Sequence, residues 1–245
     1  MNPRALIAEL LGTFTLVAFG SLSIVSANGS SIPPLLIAPF GFGLALLAAI
    51  VMFGHVSGGH FNPAVTLAAW VDRRIDLVGA IGYVIAQVLG ALIASMTILV
   101  LFGKDLVEFT RNTPASVLND VQVFGVEAVL TAVFITVILT ITARSASQAI
   151  FVIPLTLLMI HFVAIPISGA SVNPARALGP AIVSGNYEHL WVYLTGPFLG
   201  ALMGWGLFRL MAVPDDGTGD GETDEFDDDF YDETGDPGLE PTATR

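Results

Sequence analysis

The sequence predicts an all-α membrane protein in which six transmembrane helices and two short re-entrant half-helices form an inverted repeat. Three observations lead to this fold class. Hydrophobic residues occupy 54% of the 245 positions and charged residues only 12%, which is far from the composition of a soluble domain. Six apolar runs are long enough to cross a bilayer, and a short motif typical of a helix start occurs twice.

The spanning helices are predicted from the apolar runs, because a helix needs about 20 mostly apolar residues to cross a bilayer. The runs are residues 5–26, 35–53, 77–102, 121–143, 150–167 and 190–213. The first run contains Glu9, extends beyond the length of a signal-peptide core and lacks a small-residue cleavage pattern, so we interpret it as a retained span.

The repeated motif is SGGHFNPAVT at residues 57–66 and SGASVNPARA at residues 168–177. In each copy Asn is a favoured N-cap and the following Pro suits the first helical position. About ten apolar residues follow each Asn, too few to span a bilayer. A helix that short is tolerated at membrane depth only where protein or a water-filled cavity surrounds its broken end. The sequence therefore predicts two re-entrant half-helices.

The similarity between the halves extends beyond this motif. AELLGTFTLV, which contains Glu9, is echoed by VEAVLTAVFI, which contains Glu127. Each repeat, about 1–103 and 119–214, has three crossings, and an odd number of crossings requires the second repeat to be inverted. Inversion brings the two half-helix starts together near the midplane. We expect residues 1–214 to form one domain.

Residues 215–245 carry 13 acidic residues and one Arg, so they account for the whole net charge of −12. A segment this acidic and this poor in apolar residues cannot bury a core. We expect a disordered C-terminal tail.

The basic residues near the predicted span ends indicate the orientation, because cytoplasmic loops are enriched in Lys and Arg. One side carries Arg4, Arg73, Arg74, Arg144 and Arg209, and the other carries Lys104 and Arg111. We expect a multi-pass protein of the cell membrane with both termini in the cytoplasm.

The midplane chemistry follows from two facing helix N-termini, each equivalent to about half a positive charge. Asn62 and Asn173 can cap their helices with oxygen and offer NH2 donors to the axis. The motif helices begin Asn62-Pro63-Ala64 and Asn173-Pro174-Ala175, and the approaches expected to present backbone carbonyls include Gly58, Gly59, His60, Phe61, Ser171 and Val172. This arrangement repels cations and suits small neutral molecules that form hydrogen bonds.

Arg176 is the first functional candidate among the charged residues, because a guanidinium inside an apolar segment is costly. The alternative is a structural ion pair with Glu9 or Glu127, the carboxylates within the predicted spans. We assign both glutamates instead to supporting the broken backbone beside the motifs, where buried acceptors can pair with N–H groups. A proton relay through them is the alternative.

Other classes of protein find little support in the sequence. There is no Cys, the four His are scattered, and no HExxH motif or Ser-His-Asp grouping occurs, so we expect no enzyme, no cofactor and no bound metal. Nothing points to a nucleic-acid partner. A coupled secondary transporter also uses inverted repeats, but it normally needs a titratable or ion-coordinating midplane site. Here the midplane offers paired Asn.

The AELLGT opening, GHVSGGHFNPAVTLA and NPARALGPA together resemble the major intrinsic protein family, the aquaporins and aquaglyceroporins, over residues 1 to about 213. This resemblance implies a passive channel that conducts water along an osmotic gradient and excludes protons and ions. It also implies a homotetramer in the lipid bilayer, with one pore in each protomer.

In this family four positions form a selectivity filter, and counting from the motifs they fall on Phe42, His161, Ala170 and Arg176. An aromatic residue and His facing Arg resemble the water-selective branch. The glycerol-conducting branch typically has a small residue in place of His161 and Asp in place of Ala177. The small Ala170 and the pair Tyr193-Leu194, where water channels commonly carry two aromatic residues, keep passage of glycerol or other small neutral solutes open as the alternative.

Overall fold

The computed structural model describes residues 2–27 and 30–211, and these residues contain helices and no β-strand. The predicted acidic tail, residues 215–245, lies outside the described residues. Six described helices have the length and composition of membrane spans. The predicted all-α fold class with six spans is therefore confirmed.

The helices are numbered here in chain order. They are α1 (Pro3–Ala27), α2 (Pro34–Ala49), α3 (His55–Ser57), α4 (Pro63–Val71), α5 (Leu77–Phe102), α6 (Lys104–Phe109), α7 (Asp120–Arg144), α8 (Ala146–Ser168), α9 (Pro174–Ser184) and α10 (Leu190–Met211). The half-helices α4 and α9 have 9 and 11 residues, so each is too short to cross a bilayer. α6 lies in the connection between the repeats.

Two span ends differ from the sequence prediction by four residues each. The second span continues past Phe53 through a π-helical turn, Ile50–Gly54, and α3 to Ser57, because Gly54 and His55 interrupt the apolar run but not the helix. The fifth span begins at Ala146, four residues before the apolar run, because Ser145 caps it by accepting the N–H of Gln148 at 3.3 Å. Polar first turns are invisible to a search for apolar residues.

The two repeats interlock. α1 packs against α2 and α5, and in the other repeat α7 packs against α8 and α10. The half-helix α9 packs against α5, and α4 packs against α10, so each half-helix contacts a span of the opposite repeat. Glycines permit the close approach: a Cβ at Gly90 would lie 2.3 Å from the carbonyl oxygen of Leu10, and one at Gly200 would lie 2.3 Å from that of Ala128.

Candidate functional site

The two motif asparagines cap the half-helices. Both have extended backbone conformations, and the Oδ1 atom of Asn62 accepts the N–H of Ala64 at 2.8 Å. The Oδ1 atom of Asn173 accepts the N–H groups of Ala175 at 3.0 Å and Arg176 at 3.4 Å. Pro63 and Pro174 occupy the first helical positions and, like Ala64 and Ala175, are buried. The N-termini of both half-helices therefore have the geometry that the motif predicts.

The side-chain nitrogen atoms of the same asparagines join the two repeats. Nδ2 of Asn62 donates to the carbonyl of Val172 at 2.8 Å, and Nδ2 of Asn173 donates to the carbonyl of Phe61 at 3.0 Å. An amide nitrogen carries two hydrogens, so one N–H of each Asn remains for another acceptor.

The loops before the half-helices share a backbone conformation. Gly58 and Gly169 have φ of 87° and 81°, and Phe61 and Val172 have φ of 48° and 45°. Left-handed backbone is costly for a non-glycine residue and persists only where surrounding contacts fix it. The two loops are therefore held in place from outside.

The buried glutamates hold these loops. Glu9 accepts the hydroxyl of Ser57 at 2.7 Å and the N–H groups of His60 and Phe61 at 2.9 and 2.7 Å. Glu127 occupies the matching place in the second repeat. It accepts the hydroxyl of Ser168 at 2.7 Å and the N–H groups of Ser171 and Val172 at 3.0 and 2.8 Å. Each carboxylate thus satisfies backbone donors that no helix can pair.

Polar residues in the spans complete this support. The hydroxyl of Tyr83 donates to the carbonyl of Ser57 at 2.8 Å, and that of Tyr193 donates to the carbonyl of Ser168 at 2.5 Å. Gln87 donates to Glu9 at 2.7 Å. We did not predict these supporting roles, although the spacing of the two tyrosines, nearly equal to that of the motifs, was a usable signal.

Three of the four predicted filter residues lie together. The rings of Phe42 and His161 stack with centroids 4.4 Å apart, and the guanidinium carbon of Arg176 lies 5.1 Å from the centroid of Phe42. All three side chains are buried. Ala170 is also buried, in the second loop with φ of 45°. It is not among the residues that line the two cavities on either side of the filter.

Arg176 is held by the connection between the repeats. Its Nη1 atom donates to the carbonyl of Thr110 at 3.1 Å and to Oδ1 of Asn112 at 2.8 Å. Nδ2 of Asn112 donates to the carbonyl of Gly169, also at 2.8 Å. Within the described part of the chain Arg176 has no carboxylate within salt-bridge distance. Asn112 was not predicted, because nothing in the polar stretch at residues 110–113 distinguishes it from its neighbours.

Two cavities meet at the filter. The first, which we call the central cavity, has a volume of about 350 Å³ and extends past both asparagines to Arg74. The second, which we call the vestibule, has a volume of about 710 Å³ and includes Glu108 and Arg111 in its lining. Phe42 and Arg176 line both cavities, so a solute that moves from one to the other must pass them.

The polar lining of the central cavity includes several predicted residues. They are Asn62, Asn173, Gly58, Gly59, His60, Ser171, His161 and Arg176. Phe61 and Val172 do not line it, and their carbonyls accept from the opposite asparagines. Apolar residues such as Leu16, Val65 and Ile138 form much of the remaining wall.

The filter keeps free hydrogen-bonding atoms. The Nδ1 atom of His161 lies 2.9 Å from the carbonyl of Leu157, which can only accept, so Nδ1 carries the proton and Nε2 is an acceptor in neutral His. Neither this Nε2 nor the Nε donor of Arg176 has a partner among the described residues. One acceptor and one donor at the filter are therefore buried without a protein partner among the described residues.

Comparison with known proteins identifies the family. The model of the major intrinsic protein family matches residues 1–208. The glycerol uptake facilitator protein-like 6 of Lactiplantibacillus plantarum is 40% identical over 86% of this chain and 100% of its own length. Aquaporin Z of Photorhabdus laumondii is 39% identical over 85% of this chain and 97% of its own.

The chain belongs to the major intrinsic protein family. The predicted resemblance is confirmed, and with it the prediction of a transmembrane channel rather than an enzyme. The fold also matches the crystal structure of the aquaglyceroporin from Plasmodium falciparum, with a TM-score of 0.79 and 23% identity over 85% of this chain and 96% of that one. The named relatives of this family member include both aquaporins and glycerol facilitators.

Proposed function

We propose that this channel conducts water along an osmotic gradient and excludes ions, protons and most larger neutral solutes. The observation that carries the proposal is the contact of Phe42 with both His161 and Arg176 at the junction of the two cavities. A water molecule that enters this junction can exchange its lost hydrogen bonds for the free atoms of His161 and Arg176. A polyol needs more room and an apolar wall for its carbon chain.

Ion exclusion rests on the charges along the same path. Arg176 presents a buried positive charge at the filter, and the half-helices α4 and α9 direct two positive dipole ends towards the paired asparagines. The free N–H of each Asn orients a water in the centre, so a chain of waters cannot keep one direction of hydrogen bonding through the pore. Proton relay is thereby interrupted.

The remaining site residues support this path. In our proposal Glu9 and Glu127 fix the two loops, and the carbonyls of Gly58, Gly59, His60 and Ser171 accept from passing water. The channel is a homotetramer of the cell membrane, and the end of the pore at Arg74 faces the cytoplasm, where the positive-inside rule puts the Arg-rich side.

Glycerol passage is the second candidate function. It is favoured by Ala170, a small residue at one filter position, and by 40% identity to a protein named as a glycerol uptake facilitator. His161 opposes it, because a ring at this position fills space that a carbon chain would need.

The test is a pair of stopped-flow measurements on liposomes that contain the full chain. Vesicle shrinkage under a sucrose gradient reports water flow, and re-swelling under an inward glycerol gradient reports glycerol entry. Water flow well above that of empty vesicles, with glycerol entry no faster than in empty vesicles, supports the proposal. Fast glycerol entry would show instead that the protein functions as a polyol-conducting channel.

A further inference from the structure

A second arginine lines the pore at the end opposite the filter. Arg74 follows α4 in the chain and belongs to the lining of the central cavity, as does Arg176 at the other end. The structure therefore has one guanidinium at each end of this cavity. Only Arg176 is a filter residue by resemblance, whereas from the sequence Arg74 indicates only the orientation of the chain.

The turn that ends α4 directs Arg74 towards the cavity. Arg73 has φ of 62°, its N–H donates to the carbonyl of Trp70 at 3.0 Å, and the N–H of Arg74 donates to the carbonyl of Ala69 at 2.8 Å. This hydrogen-bond pattern closes a helix through a left-handed residue, normally glycine. A side chain at this position is strained, so the turn persists because other contacts hold it.

Three hydrogen bonds supply those contacts. Nε of Arg74 donates to Oδ2 of Asp72 at 2.7 Å, Nη1 donates to the hydroxyl of Thr142 at 2.6 Å, and Nη2 donates to the carbonyl of Leu139 at 3.2 Å. A guanidinium has five N–H groups, so two remain free. The Arg74 side chain is 31% exposed and belongs to the lining of the central cavity.

Arg74 and Arg176 are thus held by similar sets of hydrogen bonds. Each guanidinium donates to one backbone carbonyl and one side-chain oxygen that lie outside its own repeat's half-helix, at Leu139 and Thr142 for Arg74 and at Thr110 and Asn112 for Arg176. A side chain held in this way keeps its charge at a fixed position in the wall.

The charges around Arg74 do not cancel. Asp72 is 8% exposed and accepts from Trp205 at 3.1 Å, and it lies between two arginines, with Arg74 at 2.7 Å and Arg209 at 3.9 Å. Within this cluster of described residues one carboxylate faces two guanidinium groups, so the cluster carries a net positive charge. The cavity wall next to it is apolar, at Ile138 and Leu139.

We propose that Arg74 is a second specificity-determining residue, a cation barrier at the end of the pore opposite Arg176. This inference rests on the proposed function, because it concerns ion exclusion by a channel for neutral molecules. A cation approaching from the Arg74 end meets this charge before it reaches the asparagines, and the free N–H groups of Arg74 donate hydrogen bonds to the oxygen of incoming water. The two guanidinium groups thus repel cations at opposite ends of one cavity.

The test measures sodium leak into liposomes under an imposed membrane potential, in variants whose filter charge has been removed by Arg176→Val. Adding Arg74→Gln to Arg176→Val should raise the leak about tenfold, as expected for loss of one nearby charge in a medium of intermediate dielectric. Adding Arg74→Lys, which keeps the charge and loses the planar fork, should leave the leak at the level of Arg176→Val. Adding Arg73→Gln is the matched control, since it removes a charge one residue away that does not line the cavity, and it should have no effect.

A second measurement avoids the filter variant, should Arg176→Val fail to assemble. With Arg176 intact, methylammonium on the Arg74 side should slow water flow about twofold through Arg74→Glu and not through the unaltered channel, because cations can then enter the cavity and obstruct it. An unchanged leak in Arg176→Val/Arg74→Gln, an equal leak with Lys and Gln at position 74, or no methylammonium block would each overturn the inference. Absence of fast water flow in the unaltered channel would instead overturn the proposed function.

Discussion

The side-chain nitrogen of Asn62 donates a 2.8 Å hydrogen bond to the carbonyl of Val172, 110 residues further along the chain. The reciprocal bond runs from Asn173 to Phe61 at 3.0 Å. Each strained loop is therefore held partly by the half-helix of the opposite repeat. The centre of the pore forms only when both repeats are in place, which makes it a product of the tertiary fold rather than of either motif.

Asn62→Asp tests this cross-bond. Aspartate keeps the oxygen that caps Ala64 but loses the donor to Val172 and introduces an acidic group in the centre of the pore. We expect a loss of about 1–3 kcal/mol of stability, because a buried acceptor loses its partner, together with slower water flow. Thermal melting in detergent and stopped-flow light scattering measure the two effects. Asn119→Asp, at an exposed helix cap, is the control and should have the melting temperature of the unaltered protein. Equal melting temperatures for the two variants would contradict the expectation.

The sequence was sufficient to predict the spans, the half-helices and the caps. Long apolar runs predict the spans, and the duplicated Asn-Pro-Ala predicts the capped half-helices, because both are local features of the sequence. The matching positions of Glu9 and Glu127 in the two repeats predict their shared role. The filter needed the family resemblance, because Phe42 and His161 are ordinary residues on apolar helices until their distance from the motifs is known.

The supporting polar residues escaped prediction for a physical reason. Gln87, Asn112 and Arg74 have supporting partners that lie 78, 64 and 68 residues away in sequence, so no periodicity marks them. Their roles arise from three-dimensional contacts that neither composition nor local propensity encodes.

The tether on Arg176 leads to a prediction for Asn112. Asn112→Ala removes the acceptor that lies 2.8 Å from the guanidinium and the donor to Gly169. Arg176 keeps only its bond to the Thr110 carbonyl, so its position loosens and we expect glycerol entry to rise severalfold while water flow persists. Glycerol re-swelling of liposomes measures this. A glycerol permeability equal to that of the unaltered channel would show that Thr110 alone holds Arg176.

Close helix packing predicts a sharp contrast between two glycines. A Cβ at Gly90 in α5 would lie 2.3 Å from the Leu10 carbonyl oxygen, whereas one at Gly125 in α7 has no neighbour within 4 Å. Gly90→Ala should cost about 1–3 kcal/mol, because backbone must shift to admit the methyl group. Gly125→Ala should be neutral or stabilising by up to about 1 kcal/mol, since Ala favours helix. Melting in detergent compares them, and similar melting temperatures would contradict the packing of α1 on α5.

The stability of the fold should depend on pH through Glu108, which lines the vestibule. Desolvation acts to raise the pKa of Glu108, but hydrogen bonds from Arg111 at 2.6 Å and Asn186 at 2.7 Å, with the charge of Arg111, bring that pKa below its ordinary value of 4.5. A carboxyl group with a lowered folded-state pKa stabilises the fold above its unfolded pKa, and this contribution is lost as pH falls through the folded value.

Glu108→Gln removes this titration. The melting temperature of the unaltered protein should fall more than that of Glu108→Gln as the pH is lowered from about 6 to about 3. Parallel curves for the two proteins would show that the interactions of Glu108 do not depend on its charge.

The filter itself is tested most directly by the ratio of glycerol to water permeability in His161→Gly and the unaltered channel, measured on the same liposome preparations. We predict a ratio below that of empty vesicles for the unaltered channel, because only water flow is raised, and a rise of about tenfold or more in His161→Gly, because the variant removes a ring that fills the junction beside Phe42. An already high ratio in the unaltered channel, or an equal ratio in both proteins, would contradict the account that Phe42, His161 and Arg176 select for water.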